Sequence, residues 1–370
     1  MSSKPQKIVL IFGTRPEAIK LIPVYKELLD RPGRFAPVIC VTAQHRDMLD
    51  QVMECFNVRP DHDLDIMSPG QDLFHITSRS LDRLKDVLIQ EKPDWVMVQG
   101  DTTTTFTGAL ASFYLQIPVA HVEAGLRTYN KYSPFPEEIN RRLTTHLSQI
   151  HFAPTPKARD NLLKEGVNPD DIRVTGNTSI DALLSVAGRD FDFASHGLGF
   201  LDPARKIIVI TAHRRESFGE PFLRLCRALK TIAIRFPEAR LVYPVHLNPN
   251  VRGPVYEILS GQENIHLLEP LDYEPFVHLM AKSYMILTDS GGIQEEAPSL
   301  HKPVLVMRDT TERPEAVDAG TAKLVGTDEE RIVEETSRLL SDEKAYREMS
   351  SRENPFGDGR ASRRIADALE

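Results

Sequence analysis

The sequence predicts an α/β protein made of two Rossmann-like domains that face each other across a cleft. Short β-branched runs alternate with longer segments of helical period, which is typical of parallel sheets covered by helices. A chain of 370 residues is too long for one ordinary core and suits two domains. The strand rhythm is lost over residues 181–205, which contain glycine and proline. We therefore expect an N-terminal domain over residues 1–180, a linker over 181–205 and a C-terminal domain over 206–350.

The β-branched runs are the predicted strands. In the N-terminal domain they cover residues 7–13, 37–43, 94–100, 118–124, 149–154 and 172–177. In the C-terminal domain they cover residues 206–214, 240–246, 264–270, 284–292 and 303–309. Polar segments such as GTRPE, GDTTTT, TAHRRES and TDSGG follow these runs directly. Open parallel sheets bind ligands beyond the carboxyl ends of their strands, so these segments are expected to line a binding surface. The alternative is that loops are polar in most proteins.

Composition and charge exclude several classes of protein. The chain is 41% hydrophobic and 26% charged, as soluble globular proteins are. Its net charge of −8 gives no extended basic surface, so nucleic acid is not expected as a partner. No apolar run approaches the roughly 18 residues of a membrane span. Three scattered cysteines and a first segment without a signal-peptide pattern predict a cytoplasmic protein without disulfides. The histidines lack metal-ligand spacing, so no metal is expected.

The segment LTDSGGIQEEAPSL has the pattern of a nucleotide site. Ser290, Gly291 and Gly292 lie between a predicted strand and a predicted helix. The two glycines let a ligand approach the backbone, and the first turn of the helix offers unpaired N–H groups to a pyrophosphate. Glu296, further along that helix, is expected to accept hydrogen bonds from both ribose hydroxyls. Glycine also begins many helices without any ligand, and that reading stays open.

The segment GTRPEAIK follows the first predicted strand. Only Gly13 stands where a dinucleotide-binding protein carries GxGxxG, which argues against NAD or FAD and predicts no cofactor. Proline at the first helical position starts a helix. Arg15 and Lys20 are then expected to present cations to a phosphate. The alternative is a solvated helix start.

Four acidic and basic residues of the N-terminal half are candidates for acid–base chemistry. Asp101 begins a threonine run, and Glu123 ends the apolar run PVAHV, where a carboxylate is expected to be partly buried. Glu137 and Arg141 are four residues apart on one predicted helix face. The alternatives are that Asp101 only caps a helix and that Glu137 and Arg141 form an exposed ion pair.

His213 follows the first predicted strand of the C-terminal half, next to Arg214 and Arg215. Its imidazole is expected to bind a phosphate oxygen or to assist a leaving group. A purely structural histidine is the alternative.

The order of these motifs closely resembles the non-hydrolysing bacterial UDP-N-acetylglucosamine 2-epimerases. The matching segments extend from the first strand nearly to the C-terminus and include GTRPEAIK, GDTTTT, HVEAGLRT, SPFPEEINRR, HRRESFG, LTDSGGIQEEAPSL and NPFGDGRAS. The resemblance implies the glycosyltransferase-B architecture, a homodimer, and interconversion of UDP-N-acetylglucosamine and UDP-N-acetylmannosamine. It also implies a UDP-binding C-terminal domain, with the C-terminal helix 358–370 joined to the N-terminal domain.

The resemblance also implies roles for individual residues. The acid–base carboxylates are then Asp101, Glu123 and Glu137, with Arg141 and His213 beside them. The nucleotide-binding positions are Arg15, Lys20, Ser290, Gly291, Gly292, Glu296 and Arg313. Some members of the family bind a UDP-N-acetylglucosamine effector at a second site, which residues near Gln44, His45, Arg214 and His246 resemble. Asp47 departs from that pattern, because effector-binding relatives carry a polar amide there.

The resemblance implies a reaction in two steps. The hydrogen on C2 is not acidic in the ground state, so the bond between C1 and UDP breaks first and the C2 proton is then removed. The products are UDP and 2-acetamidoglucal, and UDP adds back after a proton reaches the opposite face of C2. The alternatives are a glycosyltransferase, a hydrolysing epimerase that releases N-acetylmannosamine, and a UDP-sugar-binding regulator without turnover.

Overall fold

The computed structural model describes residues 4–43, 46–67, 70–202 and 204–370, without the side chains of Arg46 and Asp47. The chain divides into two compact units. The N-terminal unit contains Met1–Ala182 and Phe356–Glu370, and the C-terminal unit contains Leu183–Pro355.

The N-terminal unit is built on a parallel sheet. Its described strands are β1 Gln6–Phe12, β2 Phe35–Val41, β3 His62–Asp63, β4 Trp95–Gln99, β5 Val119–Val122, β6 Ile150–Ala153 and β7 Ile172–Val174. Their order across the sheet is β3-β2-β1-β4-β5-β6-β7. The helices that follow these strands are α1 Arg15–Leu29, α2 Arg46–Cys55, α3 Leu73–Glu91, α4 Thr103–Tyr114, α5 Glu137–Leu147, α6 Pro156–Lys164 and α7 Thr178–Ala187. Helix α7 crosses the boundary between the units, which falls after Ala182.

Strand β1 is the centre of this sheet. Ile8 to Phe12 are fully buried, since helices cover both faces of a parallel sheet and its strands are continuously apolar. The strand pairs in register with β2, from Gln6 opposite Phe35, and with β4, from Ile8 opposite Trp95. The strand order changes direction between β1 and β4, which makes the carboxyl ends of these two strands a topological switch point.

The C-terminal unit repeats this plan. Its described strands are β8 Ile207–Thr211, β9 Arg240–Pro244, β10 Ile265–Leu268, β11 Met285–Thr288, β12 Val304–Val306 and β13 Ala322–Leu324, in the order β10-β9-β8-β11-β12-β13. Its helices are α8 Glu220–Arg235, α9 Pro249–Leu259, α10 Tyr273–Lys282, α11 Gly291–Glu296, α12 Pro314–Asp318, α13 Glu329–Ser341 and α14 Glu343–Ser350. The direction of strand order changes between β8 and β11, which is the second switch point.

The last helix, α15 Ala361–Leu369, belongs to the N-terminal unit. It packs against α1, and its amphipathic pattern buries Ile365 and Leu369 together with Ala361, Ser362 and Ala366. The Asp181 carboxylate accepts hydrogen bonds from the Ala361 and Ser362 N–H groups, at 3.2 and 2.8 Å. These bonds satisfy two of the donors that a helix leaves unpaired at its N-terminus.

Each predicted β-branched run overlaps a strand. The pattern did not predict β3, which has two residues, or β13, which has the sequence AKL. Helix α7 continues to Ala187, so the first seven residues of the segment 181–205 are helical. None of the helices in the described residues is both long and apolar enough to span a membrane.

The loop after β5 turns at Gly125, which has a φ of +90°. A Cβ placed there would lie 2.2 Å from the Ala158 carbonyl oxygen. Gly166 has a similar φ of +85°, but apart from its chain neighbours no described atom lies within 4 Å of a Cβ at that position. Gly166→Ala is therefore a matched control that carries only the backbone cost, about 1–2 kcal/mol.

We expect Gly125→Ala to lower the denaturant midpoint of unfolding of the N-terminal unit well beyond Gly166→Ala, because it adds a backbone clash to the same φ cost. Urea titrations of both variants, followed by circular dichroism, measure the difference. Equal midpoints would contradict the close packing of this loop against α6.

Candidate active site

The switch point of the N-terminal unit brings together two loops that carry predicted site residues. Arg15 and Lys20 are on α1, which follows β1, and Asp101 follows β4. Because β1 and β4 are paired neighbours, these loops leave the same edge of the sheet side by side. Arg15 is half-buried, and its guanidinium makes no hydrogen bond or ion pair within the described part of the chain.

Glu17 links the loop after β1 to the loop after β4 by hydrogen bonds. Its carboxylate is buried and accepts hydrogen bonds from the Gly13 and Thr14 N–H groups, at 3.0 and 2.8 Å, and from the Thr14 hydroxyl at 2.8 Å. It also accepts hydrogen bonds from the hydroxyls of Thr102 and Thr105, at 2.6 and 3.0 Å. Burial raises the pKa of Glu17, and the hydrogen bonds oppose that rise.

Sequence reasoning missed Glu17 as a site residue, although a signal was present. TRPE fits the capping box, in which a threonine N-cap and a glutamate three residues later bond to each other's backbone. A capping box indicates only a helix start. It does not indicate that the glutamate is buried or that it reaches the loop after β4.

Glu123 is a buried carboxylate with several partners. Its backbone has a φ of +63°, in the left-handed region that few residues other than glycine adopt. The Lys20 ammonium lies 2.5 Å from its Oε1, and the Asn177 amide donates to the same oxygen at 3.3 Å. The Gln99 amide donates to its Oε2. The predicted burial of Glu123 is therefore observed, and Lys20 contacts this carboxylate.

Asp101 and Arg141 form an ion pair between the loop after β4 and helix α5. The Arg141 Nε and Nη2 groups lie 2.7 and 2.6 Å from Asp101 Oδ2. The reading of Asp101 as a helix cap is wrong, because Thr102 caps α4 by accepting the Thr105 N–H. The alternative interpretation, an exposed ion pair between Glu137 and Arg141, is also wrong, because the structure shows no such pair among the described residues. Arg141 instead contacts Glu138 at 3.3 Å.

Glu137 and Glu138 differ sharply although they are adjacent. Glu138 is buried and accepts hydrogen bonds from the Thr128 and Tyr129 N–H groups, at 2.9 and 3.1 Å, which fixes the loop before α5. Glu137 has a buried Oε2 that finds no hydrogen-bond donor among the described residues. An unpaired buried carboxylate oxygen is costly, which makes Glu137 a candidate for contact with a ligand.

The switch point of the C-terminal unit carries the segment Ser290–Gly292. Ser290 is the N-cap of α11, and neither glycine has a positive φ. A Cβ at Gly291 would lie 3.9 Å from Arg214 Nη2, and a Cβ at Gly292 would lie 4.0 Å from Ser290 Oγ. Neither backbone conformation nor internal packing therefore requires glycine here. The two glycines leave this backbone open to close approach by a ligand, as glycine does at phosphate-binding loops.

Arg313 is held next to this segment by a network that the sequence did not predict. The Arg313 Nε group donates to Glu295, which is buried in α11. The Thr311 hydroxyl donates to Gln294 Oε1 at 2.6 Å and accepts the Arg313 N–H at 3.0 Å. Glu296 ends α11, one residue beyond Glu295. The nucleotide-binding positions predicted in this unit thus share one short helix and the loop packed on it.

The loop containing Arg313 is braced by a second ion pair. Arg308 donates to both carboxylate oxygens of Glu312, at 2.7 and 3.0 Å. The Arg308 guanidinium lowers the pKa of Glu312 to about 2. A pair of this two-pronged geometry fixes the plane of the arginine as well as its distance.

His213 follows β8 and stacks on His246, with ring centroids 5.2 Å apart and an angle of 8° between the ring planes. Burial lowers the pKa of His213. Arg214 and His246, predicted for a second UDP-sugar site, are thus both near His213, Arg214 by chain position and His246 by stacking. The other two residues predicted for that site, Gln44 and His45, lie outside the described residues, so the second site stays a prediction.

Two further histidines are buried in strands β5 and β6 of the N-terminal unit. His121 Nε2 lies 2.8 Å from the Gly100 carbonyl oxygen, and burial lowers the pKa of His121 to about 3 and that of His151 to about 4. Both are neutral side chains of the core. Across the described residues, no three His, Cys, Asp or Glu side chains gather as a metal site requires.

Both units are doubly wound parallel sheets with candidate ligand-binding residues at their switch points. The same fold occurs in a glycotransferase of kitacinnamycin, which is 14% identical, has a TM-score of 0.65 and covers 100% of both chains. The chain therefore has the two-domain glycosyltransferase-B fold.

Comparison with relatives narrows this class. Residues 27–370 match the family model of UDP-N-acetylglucosamine 2-epimerase. The Escherichia coli UDP-N-acetylglucosamine 2-epimerase is 57% identical, over 98% of each chain. The crystal structure of the Neisseria meningitidis UDP-GlcNAc 2-epimerase, bound to UDP-GlcNAc, is 52% identical with a TM-score of 0.88, covering 98% of this chain and 99% of that one. This chain belongs to the UDP-N-acetylglucosamine 2-epimerase family.

Replacement of the Glu17 carboxylate tests its bracing role. Glu17→Gln puts an NH₂ donor where an oxygen now accepts hydrogen bonds from N–H and O–H groups, so we expect the free energy of unfolding to fall by about 1–3 kcal/mol. Glu27→Gln, on the same helix, removes a half-exposed pair with Arg31 and should cost under about 1 kcal/mol. Chemical denaturation of both variants makes the comparison. A Glu17→Gln variant as stable as Glu27→Gln would contradict the bracing role.

Proposed function

We propose that this chain interconverts UDP-N-acetylglucosamine and UDP-N-acetylmannosamine, by eliminating UDP to give 2-acetamidoglucal and adding it back. The observation that carries the proposal is the set of carboxylates at the N-terminal switch point. Asp101 and Glu123 are each held by a cation, and Glu137 has a buried oxygen without a donor among the described residues. A single-base transferase has no need of this set, whereas proton removal and return on two faces of C2 does.

We assign the nucleotide to the C-terminal switch point. The glycines of Ser290–Gly292 admit the diphosphate to the backbone, where the N–H groups that begin α11 are directed at it. Glu296 accepts hydrogen bonds from the ribose hydroxyls, and Arg313, oriented by Glu295, holds a phosphate oxygen. We also propose Arg15 and Lys20 as nucleotide-binding cations, and Lys20 has the Glu123 carboxylate as its partner.

The proposed chemistry follows from charge. As the C1–O bond to UDP breaks, positive charge develops on the sugar ring and negative charge on the diphosphate. Asp101 and Glu123 stabilise the ring cation, and one of the three carboxylates accepts the C2 proton. Arg15, Arg313 and His213 stabilise the departing diphosphate. Since no hydride moves, this route needs no nicotinamide.

The source of the C2 hydrogen tests the reaction. In D₂O we expect UDP-N-acetylmannosamine to carry deuterium at C2, because the proton leaves to a carboxylate and returns from a group that exchanges with solvent. Proton NMR of UDP-N-acetylglucosamine incubated with the protein measures this. Product that keeps its original C2 hydrogen would exclude the elimination route. Free N-acetylmannosamine as the first product would indicate a hydrolysing enzyme, and a glycoside formed on an added acceptor would indicate a transferase.

The nucleotide assignment is tested by binding. Arg15→Ala and Glu296→Ala should each weaken UDP binding by about 1.5–3 kcal/mol, which is roughly tenfold to over a hundredfold in Kd. Isothermal titration calorimetry measures the loss. Arg15→Lys, which keeps the charge but not the two-pronged donor, should fall between Arg15→Ala and the unsubstituted chain. Glu257→Ala, an exposed carboxylate on α9, is the control and should leave Kd unchanged. Unchanged Kd in both alanine variants would mean that the nucleotide binds elsewhere.

A further inference from the structure

Asp289 lies between β11 and Ser290 and is completely buried. Its Oδ2 accepts hydrogen bonds from the His213 and Arg214 N–H groups, at 2.6 and 2.8 Å. These bonds tie the carboxyl end of β11 to the loop after β8, across the switch point of the C-terminal unit. The backbone that begins the loop of His213 is therefore fixed to the segment assigned to the nucleotide.

The other oxygen of this carboxylate is not satisfied by the backbone. Asp289 Oδ1 is buried and has no hydrogen-bond partner among the described residues, and His213 Nδ1 lies 3.4 Å from it. A buried carboxylate oxygen without a donor costs free energy, and a proton on His213 Nδ1 would supply that donor with a small tightening of the contact. The second ring nitrogen, Nε2, is on the opposite side of the imidazole from Nδ1.

We propose that Asp289 is a positioning residue, which keeps the proton of His213 on Nδ1 so that Nε2 takes up a second proton when a diphosphate binds. The inference rests on the proposed function, because it assigns the diphosphate of a UDP-sugar to this switch point. In the reaction, the Nε2 proton forms a hydrogen bond to the diphosphate as its charge develops. That proton is acquired from solvent on binding and is released when the nucleotide leaves.

The charges that face His213 are consistent with a neutral ring before binding. Burial lowers the pKa of His213, the Asp289 carboxylate opposes that effect, and the His246 ring and the Arg214 guanidinium add to it. A diphosphate adds negative charge on the side of Nε2, which favours the protonated form. With Nδ1–H donating to Asp289, the imidazolium has a partner on each side.

Asparagine at position 289 reverses the hydrogen bonding. Its single carbonyl oxygen is needed by the two backbone N–H groups, so its NH₂ group faces His213 Nδ1 as a donor. Nδ1 must then accept a hydrogen bond, and the ring proton moves to Nε2. The variant keeps the shape and the backbone contacts of Asp289 but imposes the opposite tautomer.

Nitrogen-15 NMR of the histidine side chains tests the tautomer without reliance on turnover. In the unsubstituted chain we expect His213 protonated on Nδ1 and bare on Nε2, and protonated on both nitrogens after addition of UDP. In Asp289→Asn we expect the proton on Nε2. A signal from Nε2–H of His213 in the unsubstituted chain before UDP is added would overturn the proposal, whether or not the variant folds.

Proton uptake gives the second readout. Calorimetry of UDP binding in buffers of different ionisation enthalpy should show uptake that approaches one proton in the unsubstituted chain and is lost in Asp289→Asn and in His213→Gln. Asp181→Asn is the matched control, since Asp181 also accepts two backbone N–H groups, and it should keep the uptake. Equal uptake in Asp289→Asn and the unsubstituted chain would overturn the proposal.

Turnover completes the test. We expect kcat of Asp289→Asn to fall about a hundredfold with a smaller change in KM, and the double variant with His213→Gln to be no slower than His213→Gln alone. Additive losses in the double variant would indicate a structural role and overturn the proposal. If UDP binds with the expected tautomer and proton uptake but no epimerised sugar forms, the positioning role is supported and the proposed reaction fails.

Discussion

The pairing of β1 with β2 on one edge and β4 on the other decides where the N-terminal unit can hold a ligand. At that point the strand order reverses and the connections leave in opposite directions, so the carboxyl ends of β1 and β4 are left uncovered by either helix. The loops that begin there would otherwise be two independent turns. Glu17 links the two loops, because its single buried carboxylate accepts hydrogen bonds from five donors that come from both of them.

In the C-terminal unit another buried carboxylate links the two loops of the switch point. Asp289 comes from the strand on one side of the reversal and accepts N–H groups from the loop on the other side. In both units a buried acid thus joins the two loops of the switch point, and the residues assigned to substrate are next to it in sequence. Arg15 is two residues from Glu17, and Ser290 follows Asp289. Positioning and binding are therefore carried by different side chains of the same short segments.

The sequence is most informative where a property is local. Strands of a buried parallel sheet are continuous β-branched runs, so β1, β4 and β11 can be located without any knowledge of their neighbours. The strand AKL cannot be located in this way, because Lys323 interrupts its apolar sequence and three residues are too few to show a pattern. Polar segments after strands can likewise be assigned to one edge of a sheet from chain order alone.

The sequence does not predict which residues far apart in the chain pair with each other. Helical spacing placed Arg141 beside Glu137, yet its guanidinium extends to Asp101, forty residues away, and to Glu138. The spacing of residues along one helix shows which side chains of that helix can pair. It does not show whether a side chain from another loop binds the same residue instead. Glu17 and Asp289 were missed for the same reason, since both are important only through groups that other strands deliver.

The left-handed backbone of Glu123 has a consequence for how such a protein can change over evolutionary time. Asparagine and glycine tolerate this conformation better than glutamate does, so either could replace Glu123 with little backbone penalty. The replacement would delete the charge opposite Lys20 and leave the nucleotide positions of the other unit unchanged. Under the proposed function such a change removes one of the acid–base carboxylates. It also deletes the ion pair with Lys20, so the relief of the backbone is opposed by the loss of a largely buried contact.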